Sequence, residues 1–277
     1  SNRGSYMSQT IPFFVSIPHS GEKIPEQTPW LNSLPEETLM SDVDRYVDVL
    51  YKPSLVKLEI PVQLTEWHRY AVDLNRIPDD IDEASVLGAS KKAGSHSDGY
   101  HWVMTKSEIK LMSSPMQPET HQILTQLIYE PFHVGIRKHY QYFKDKGFKK
   151  VFHIDAHSMP SKGTRMHRDP GEVRADIVVS DCLGKSCDRH FRDLVIAAYS
   201  TAGFKVGYNW PYLGGRVTEQ YGKPDLGQHA IQVELNRSLY MDEKSKHILP
   251  VHAQVQEKIL KALSYIHSEL PKLNYSE

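Results

Sequence analysis

Val151-Phe152-His153-Ile154-Asp155, followed by Ala156-His157-Ser158, is a short apolar run that empties into polar residues. A run of this length reads as a buried strand. Asp155, two residues before His157, lies on the same side of that strand as the histidine. Similar runs stand on either side of it. Phe13-Phe14-Val15-Ser16-Ile17 ends at Pro18 and opens into Pro18-His19-Ser20-Gly21. Val62-Gln63-Leu64, Tyr70-Ala71-Val72, Ile177-Val178-Val179 and Ile231-Gln232-Val233-Glu234 complete the set of expected strands. Between them the helical period returns from Glu119 to Lys146, where Gly147 stops it, and at roughly 187–202 and 244–269. Ser41 is expected to cap a further helix with Asp42 and Asp44 in its first turn and Val43, Val47 and Leu50 on its apolar face, up to Pro53.

Strands alternating with helices predict an α/β fold, a three-layer α/β/α arrangement around a mostly parallel sheet. Sites in such sheets lie outside the carboxyl ends of the strands. His19, Asp73, His157 and Glu234 all fall at or just past an expected strand end.

The 277 residues, 39% of them hydrophobic, suffice for one large domain, and no repeat or long Gly/Ser linker divides them. Ser1 to Tyr6, ahead of Met7, read as an expression-vector remnant, so a single domain is expected over residues 7–277. Lys and Arg number 33 against 34 Asp and Glu, without a basic block, which argues against a nucleic-acid partner. No apolar stretch approaches the ~18 residues of a membrane span. Cys182 and Cys187 are read as two reduced thiols of a cytoplasmic protein. The oligomeric state has no signature in the sequence.

The strand-end residues carry the chemistry. His19 and His157 are nitrogen donors, and Glu22, Asp42 and Asp44 are carboxylate donors. Two histidines and one carboxylate form a common catalytic zinc set with a fourth position left for water, and such ligands also accept other first-row divalent metals. His19 and Glu22 are spaced to reach one metal, and Asp44 competes with Glu22 for that place. Asp155 is placed to orient an imidazole from behind. Glu234 is a base suited to take a proton from water beside a metal; the plainer alternative is an ion pair with Arg237. Asn75 and Arg76, with Arg69 upstream, suit capture of a small-molecule carboxylate, unless Arg76 pairs with Asp79 or Asp80. Gly214-Gly215, followed by Thr218 and Tyr221, suggests a close backbone approach or a tight turn, with Thr218 as a pocket residue.

Together these segments resemble a family. Ile17-Pro18-His19-Ser20-Gly21, Val72-Asp73-Leu74-Asn75-Arg76, Asp155-Ala156-His157-Ser158, Gly214-Gly215 with Tyr221-Gly222, and Glu234 followed by Tyr240-Met241-Asp242-Glu243 look like the N-formylglutamate amidohydrolases. The similarity runs in order from about residue 11 to 265. The Asp-Leu-Asn-Arg segment also resembles that of the aspartoacylase group of zinc carboxypeptidase-like enzymes. The resemblance implies a zinc-exopeptidase type of fold and one catalytic zinc per chain. It implies hydrolysis of an N-acyl amino acid, the namesake reaction releasing formate and glutamate. By it His19 and His157 are ligands, Glu234 is the general base, Asn75 and Arg76 bind substrate, and Asp44 rather than Glu22 is the third ligand. Lys91 to Trp102 departs from the family pattern, in the region that bears on substrate specificity. Two other readings compete: an amidase or peptidase working on a larger substrate such as a cell-wall fragment, and a non-catalytic carboxylate-binding relative.

Overall fold

The computed structural model describes residues 10–96 and 98–273. Ser1–Tyr6, read above as an expression-vector remnant, the expected domain limits at Met7 and Glu277, and Ser97 of the divergent stretch lie outside the described residues. The strands are β1 (Phe13–Ile17), β2 (Val62–Leu64), β3 (Val151–Met159), β4 (Ile177–Ser180), β5 (Val206–Tyr208) and β6 (Gln228–Asn236). The helices are α1 (Glu36–Leu39), α2 (Val47–Lys57), α3 (Pro118–Leu124), α4 (Glu130–Asp145), α5 (Arg189–Thr201), α6 (Arg216–Tyr221) and α7 (His252–Glu269). A π-type turn at Thr125–Tyr129 joins α3 to α4 in one continuous run. The strands form a six-stranded sheet in the order β2-β1-β3-β6-β4-β5, parallel except for β4 against β6. This is the expected mostly parallel α/β sheet.

The period-two alternation of each strand sorts residues onto two unlike faces. Phe13, Val15, Ile17, Phe152, Ile154, Ile231, Val233 and Leu235 point into one core, closed by α2, α5 and α7. The other face carries Phe14 and Val151 into a second core under α3, α4, α6 and the long 66–116 segment. On that second face the sheet also buries Ser16, His153, Asp155, His157, Gln232 and Glu234. Burying so many polar groups is costly unless each is partnered, so this half of the sheet marks the site.

Four expectations change. The last helix begins only at His252 rather than near 244, after a turn at 243–245. Tyr70-Ala71-Val72 is a buried turn rather than a strand; its apolar side chains pack into the second core while its backbone bonds to the loop, Trp102 N to Tyr70 O at 3.2 Å. The helix expected from Ser41 starts only at Val47, after Tyr46 takes a left-handed φ of 73°. Asp42 and Asp44 therefore sit on an irregular turn, and Ser41 Oγ donates to Thr38 O instead of capping. Pro53 does not end α2. The carbonyl it deprives of a donor, Val49 O, accepts from Gln256 Nε2 at 3.0 Å. The strand β5 has no expected counterpart: three residues with a central glycine leave no alternation to read.

No helix among the described residues is long and apolar enough to cross a membrane.

Four histidines of the second face are buried and hydrogen-bonded: His68, His101, His133 and His153. Burial lowers all four, to about 4, about 3, about 4 and about 4 respectively. Each folded value lies below that of the unfolded chain, ~6.5. The unfolded state therefore binds more protons below that pH, and stability is lost as pH falls from ~6.5 toward 4. Each group contributes on the order of 3 kcal/mol by pH 4, so a few together are comparable with the whole stability of a domain, about 5–15 kcal/mol. Melting temperatures in EDTA should drop steeply from pH 7 to pH 5, and a flat profile across that range would contradict the buried, neutral state.

Candidate active site

Three buried side chains meet near the carboxyl ends of β1 and β3. Pro18 ends β1 and sends His19 into the loop, where its carbonyl accepts from Asp44 N at 2.9 Å. His157 stands near the carboxyl end of β3. Ligand atoms of His19, Asp44 and His157 all lie within 4.8 Å of one another. Asp44 Oδ2 is 3.1 Å from His157 Nδ1 and 3.6 Å from His19 Nδ1. The outer nitrogens of both rings turn away from this centre to carboxylates. His19 Nε2 donates to Asp73 Oδ1 at 2.6 Å, and His157 Nε2 to Asp155 Oδ2 at 2.5 Å.

That orientation is what a metal ligand needs: a carboxylate behind the ring fixes the proton on Nε2 and leaves the Nδ1 lone pair facing the centre. The carboxylates are themselves held. Asp73 accepts from Asn75 N, Arg69 Nη2 and Trp102 Nε1, each at 2.9 Å. Asp44 Oδ1 accepts from Arg237 Nη2 at 3.0 Å.

The electrostatics favour positive charge at the centre. Burial opposes ionisation of Asp44, yet His157 and His19 hold its carboxyl well below the usual range. Burial likewise opposes the His157 cation, but Asp155 and then Asp44 hold that imidazole well above its usual value. Two imidazoles, one ionised carboxylate and a preference for a cation fit a divalent metal.

Glu234 faces His157 directly across the β3–β6 ladder. Its Oε1 accepts from Gln232 Nε2 at 3.2 Å, while Oε2 is buried without a hydrogen-bond partner. Burial, with Asp44 adding, pushes its carboxyl up to about 8 against the opposing pull of His157, Arg237 and Arg69. It forms no ion pair with Arg237, which serves Asp44 instead.

A cavity of about 220 Å³ opens over these residues. His19, Asp44, His157, Glu234, Asn75, Arg76, Arg69 and Asp42 line it. Asn75 Oδ1 accepts from Val217 N at 2.8 Å, and a Cβ on Gly215 would lie 2.0 Å from Asn75 Nδ2, so the backbone approaches as closely as the Gly-Gly pair suggested. Arg76 does not pair with Asp79 or Asp80; its Nη2 lies 3.7 Å from Asp98. Arg69 stacks over Trp102 at 4.7 Å and keeps a buried Nε without a partner. Two candidates fall outside the lining. Thr218 is buried in α6, and Glu22 is on the surface, 3.2 Å from Arg45.

Several lining residues had no signal of their own in the sequence: Arg237, Lys106, Trp102, His167 and Tyr212. Lys106 pairs with Asp98, and both come from the long irregular 79–118 segment. An irregular connection of that length is commonly functional.

The sequence model of the N-formylglutamate amidohydrolase family matches residues 11–241. A protein named N-formylglutamate deformylase from Pseudomonas aeruginosa is 27% identical over 246 residues, covering 87% of this chain and 86% of its own. Its namesake from Pseudomonas putida is 28% identical over 243 residues, covering 86% and 85%. The crystal structure of N-formylglutamate amidohydrolase from Ralstonia eutropha JMP134 superposes with a TM-score of 0.84 at 24% identity, covering 96% of each chain. A crystal structure from Agrobacterium tumefaciens gives 0.65 at 18% identity, covering 92% and 91%. At such identities the structural likeness bears on the fold.

Proposed function

The chain belongs to the N-formylglutamate amidohydrolase family and is a hydrolase acting on an amide, and on that premise we propose that it cleaves N-formyl-L-glutamate to formate and L-glutamate with one zinc ion per chain. The observation that carries this reading is the convergence of His19 Nδ1, His157 Nδ1 and Asp44 Oδ2 beside the idle Glu234 Oε2, inside a small polar cavity. His19, Asp44 and His157 are the proposed ligands. A zinc ion so held would polarise a carbonyl and acidify water toward a pKa of ~7.

The rest is the work of side chains. Glu234, whose buried Oε2 has no hydrogen-bond partner, takes the proton of the attacking water and delivers it to the departing nitrogen as the C–N bond breaks. One bond to carbon forms from water oxygen and one to nitrogen is lost, so formate and a free amine result. Arg69, with its unpartnered Nε, offers a donor to the oxygen that gathers charge during attack. Asn75 and Arg76 hold a substrate carboxylate and so place the amide over the centre. The catalytic unit is taken as residues 7–277 and its setting as the cytoplasm, in keeping with the free thiols of Cys182 and Cys187.

The cavity volume of about 220 Å³ favours a small substrate over a cell-wall fragment. The 79–118 segment packs back on the molecule through the buried Tyr100 and Trp102. Formate release from N-formyl-L-glutamate, with and without chelator and after zinc is restored, tests the proposal. Chelator-sensitive release is expected. Zinc-loaded protein that cleaves acylated dipeptides but not formylglutamate would overturn it.

Arg76→Ala should raise KM for formylglutamate roughly 10- to 100-fold with a smaller effect on kcat, since a charged hydrogen bond to the bound carboxylate is lost. Steady-state kinetics check this, and an unchanged KM would remove Arg76 from substrate binding.

A further inference from the structure

Ser16, His153 and Tyr140 have no part in the chemistry above, yet they form an unbroken buried path to His157. Tyr140 OH lies 2.9 Å from His153 Nδ1, and His153 Nε2 lies 2.6 Å from Ser16 Oγ. Ser16 Oγ donates to Asp155 Oδ1 at 2.6 Å, and Asp155 Oδ2 accepts from His157 Nε2 at 2.5 Å. Ser16, His153, Asp155, His157 and Tyr140 are all buried. The sheet itself sets this alignment. His153, Asp155 and His157 alternate onto one face of β3, and Ser16 of β1 is in register with Asp155.

The chain has only one consistent direction. A carboxylate oxygen can only accept, so Ser16 must spend its single proton on Asp155. Its oxygen then accepts from His153, which fixes the His153 proton on Nε2. The bare His153 Nδ1 accepts in turn from Tyr140 OH. In the reverse direction the lone pairs of Ser16 Oγ would face the Asp155 carboxylate at 2.6 Å. Phe14 stacks on the His153 ring at 4.2 Å between centroids and holds it in place.

We propose that Tyr140, His153 and Ser16 are positioning residues that act through Asp155 to fix His157 as a metal ligand. The inference rests on the reading that His157 holds the metal. Without the Ser16 proton, Asp155 Oδ1 is a buried acceptor with no partner, and the carboxylate is free to turn from His157 or to take a proton. Either change releases the His157 tautomer that presents Nδ1. Loss of an outer partner of a metal ligand commonly weakens binding 10- to 100-fold.

The test measures zinc affinity of chelator-stripped protein by competition with a chromophoric chelator. Ser16→Ala is expected to weaken zinc roughly 10- to 100-fold. Tyr140→Phe, which deletes one oxygen at the far end, should weaken it less but in the same direction. Tyr199→Phe is the control. It deletes an equally buried hydroxyl, bonded to Tyr51 OH at 2.7 Å on the opposite face of the sheet. It should lower thermal stability and leave zinc affinity and the visible spectrum of the cobalt-loaded protein unchanged, while Ser16→Ala shifts that spectrum. Wild-type affinity in both Ser16→Ala and Tyr140→Phe would overturn the inference, as would an equal loss in Tyr199→Phe. If Ser16→Ala does not fold, Tyr140→Phe carries the test. Wild-type protein that takes up no zinc would instead sink the metal reading on which the inference depends.

Discussion

His157→Ala will purify without its metal and will release formate more slowly than wild type by well over the roughly 100-fold that loss of an outer-shell partner costs. The substitution removes one of two nitrogen donors and also strips Asp155 and Asp44 of the imidazole that balances them. Breaking a buried charge pair by deleting one partner costs about 3–5 kcal/mol, so the melting temperature should fall as well. Metal content by mass spectrometry and single-substrate kinetics read both effects. Glu22→Ala is the informative contrast. Its carboxylate pairs with Arg45 at the surface, outside the cavity, and its removal should leave metal and turnover as they were. A stoichiometric metal in His157→Ala with turnover near wild type would remove this residue from the centre.

Glu234→Gln should part metal from activity. The amide keeps the shape of the side chain and the contact of its oxygen with Gln232, but it cannot take a proton from water. A general base contributes roughly 10²–10⁴-fold, and a loss of that size in kcat is expected with metal content unchanged. Full activity in this variant would transfer the proton chemistry to another group. Loss of metal with activity would make Glu234 a ligand or a support of one.

The sheet was legible because its strands are short apolar runs between Pro, Gly and polar breaks. Alternation along β3 already placed Asp155 and His157 on one side, and the β3–β6 register then set Glu234 opposite His157. What was not legible depended on long-range partners. The turn at Tyr70–Val72 has the composition of a strand, but its hydrogen bonds go to the loop around Tyr100 and Trp102. The true start of α2 follows the left-handed residue Tyr46, a conformation that its residue type does not announce. Asp44 owes its place to a backbone bond with His19 and an ion pair with Arg237, 193 residues away in the chain. The choice between Asp44 and Glu22 therefore came from family resemblance rather than from spacing. Lys106 and Asp98 reach the cavity from a segment without regular period, where no pattern-based argument selects particular side chains.

The central claim is that one divalent metal sits among His19, Asp44 and His157. Anomalous scattering at the zinc absorption edge from crystals of the zinc-loaded protein tests it most directly. The account predicts one peak per chain in bonding contact with His19 Nδ1, His157 Nδ1 and Asp44 Oδ2, with Glu234 beside it but not bound. A zinc peak held by other residues, or none at this place in protein that releases formate, would contradict it.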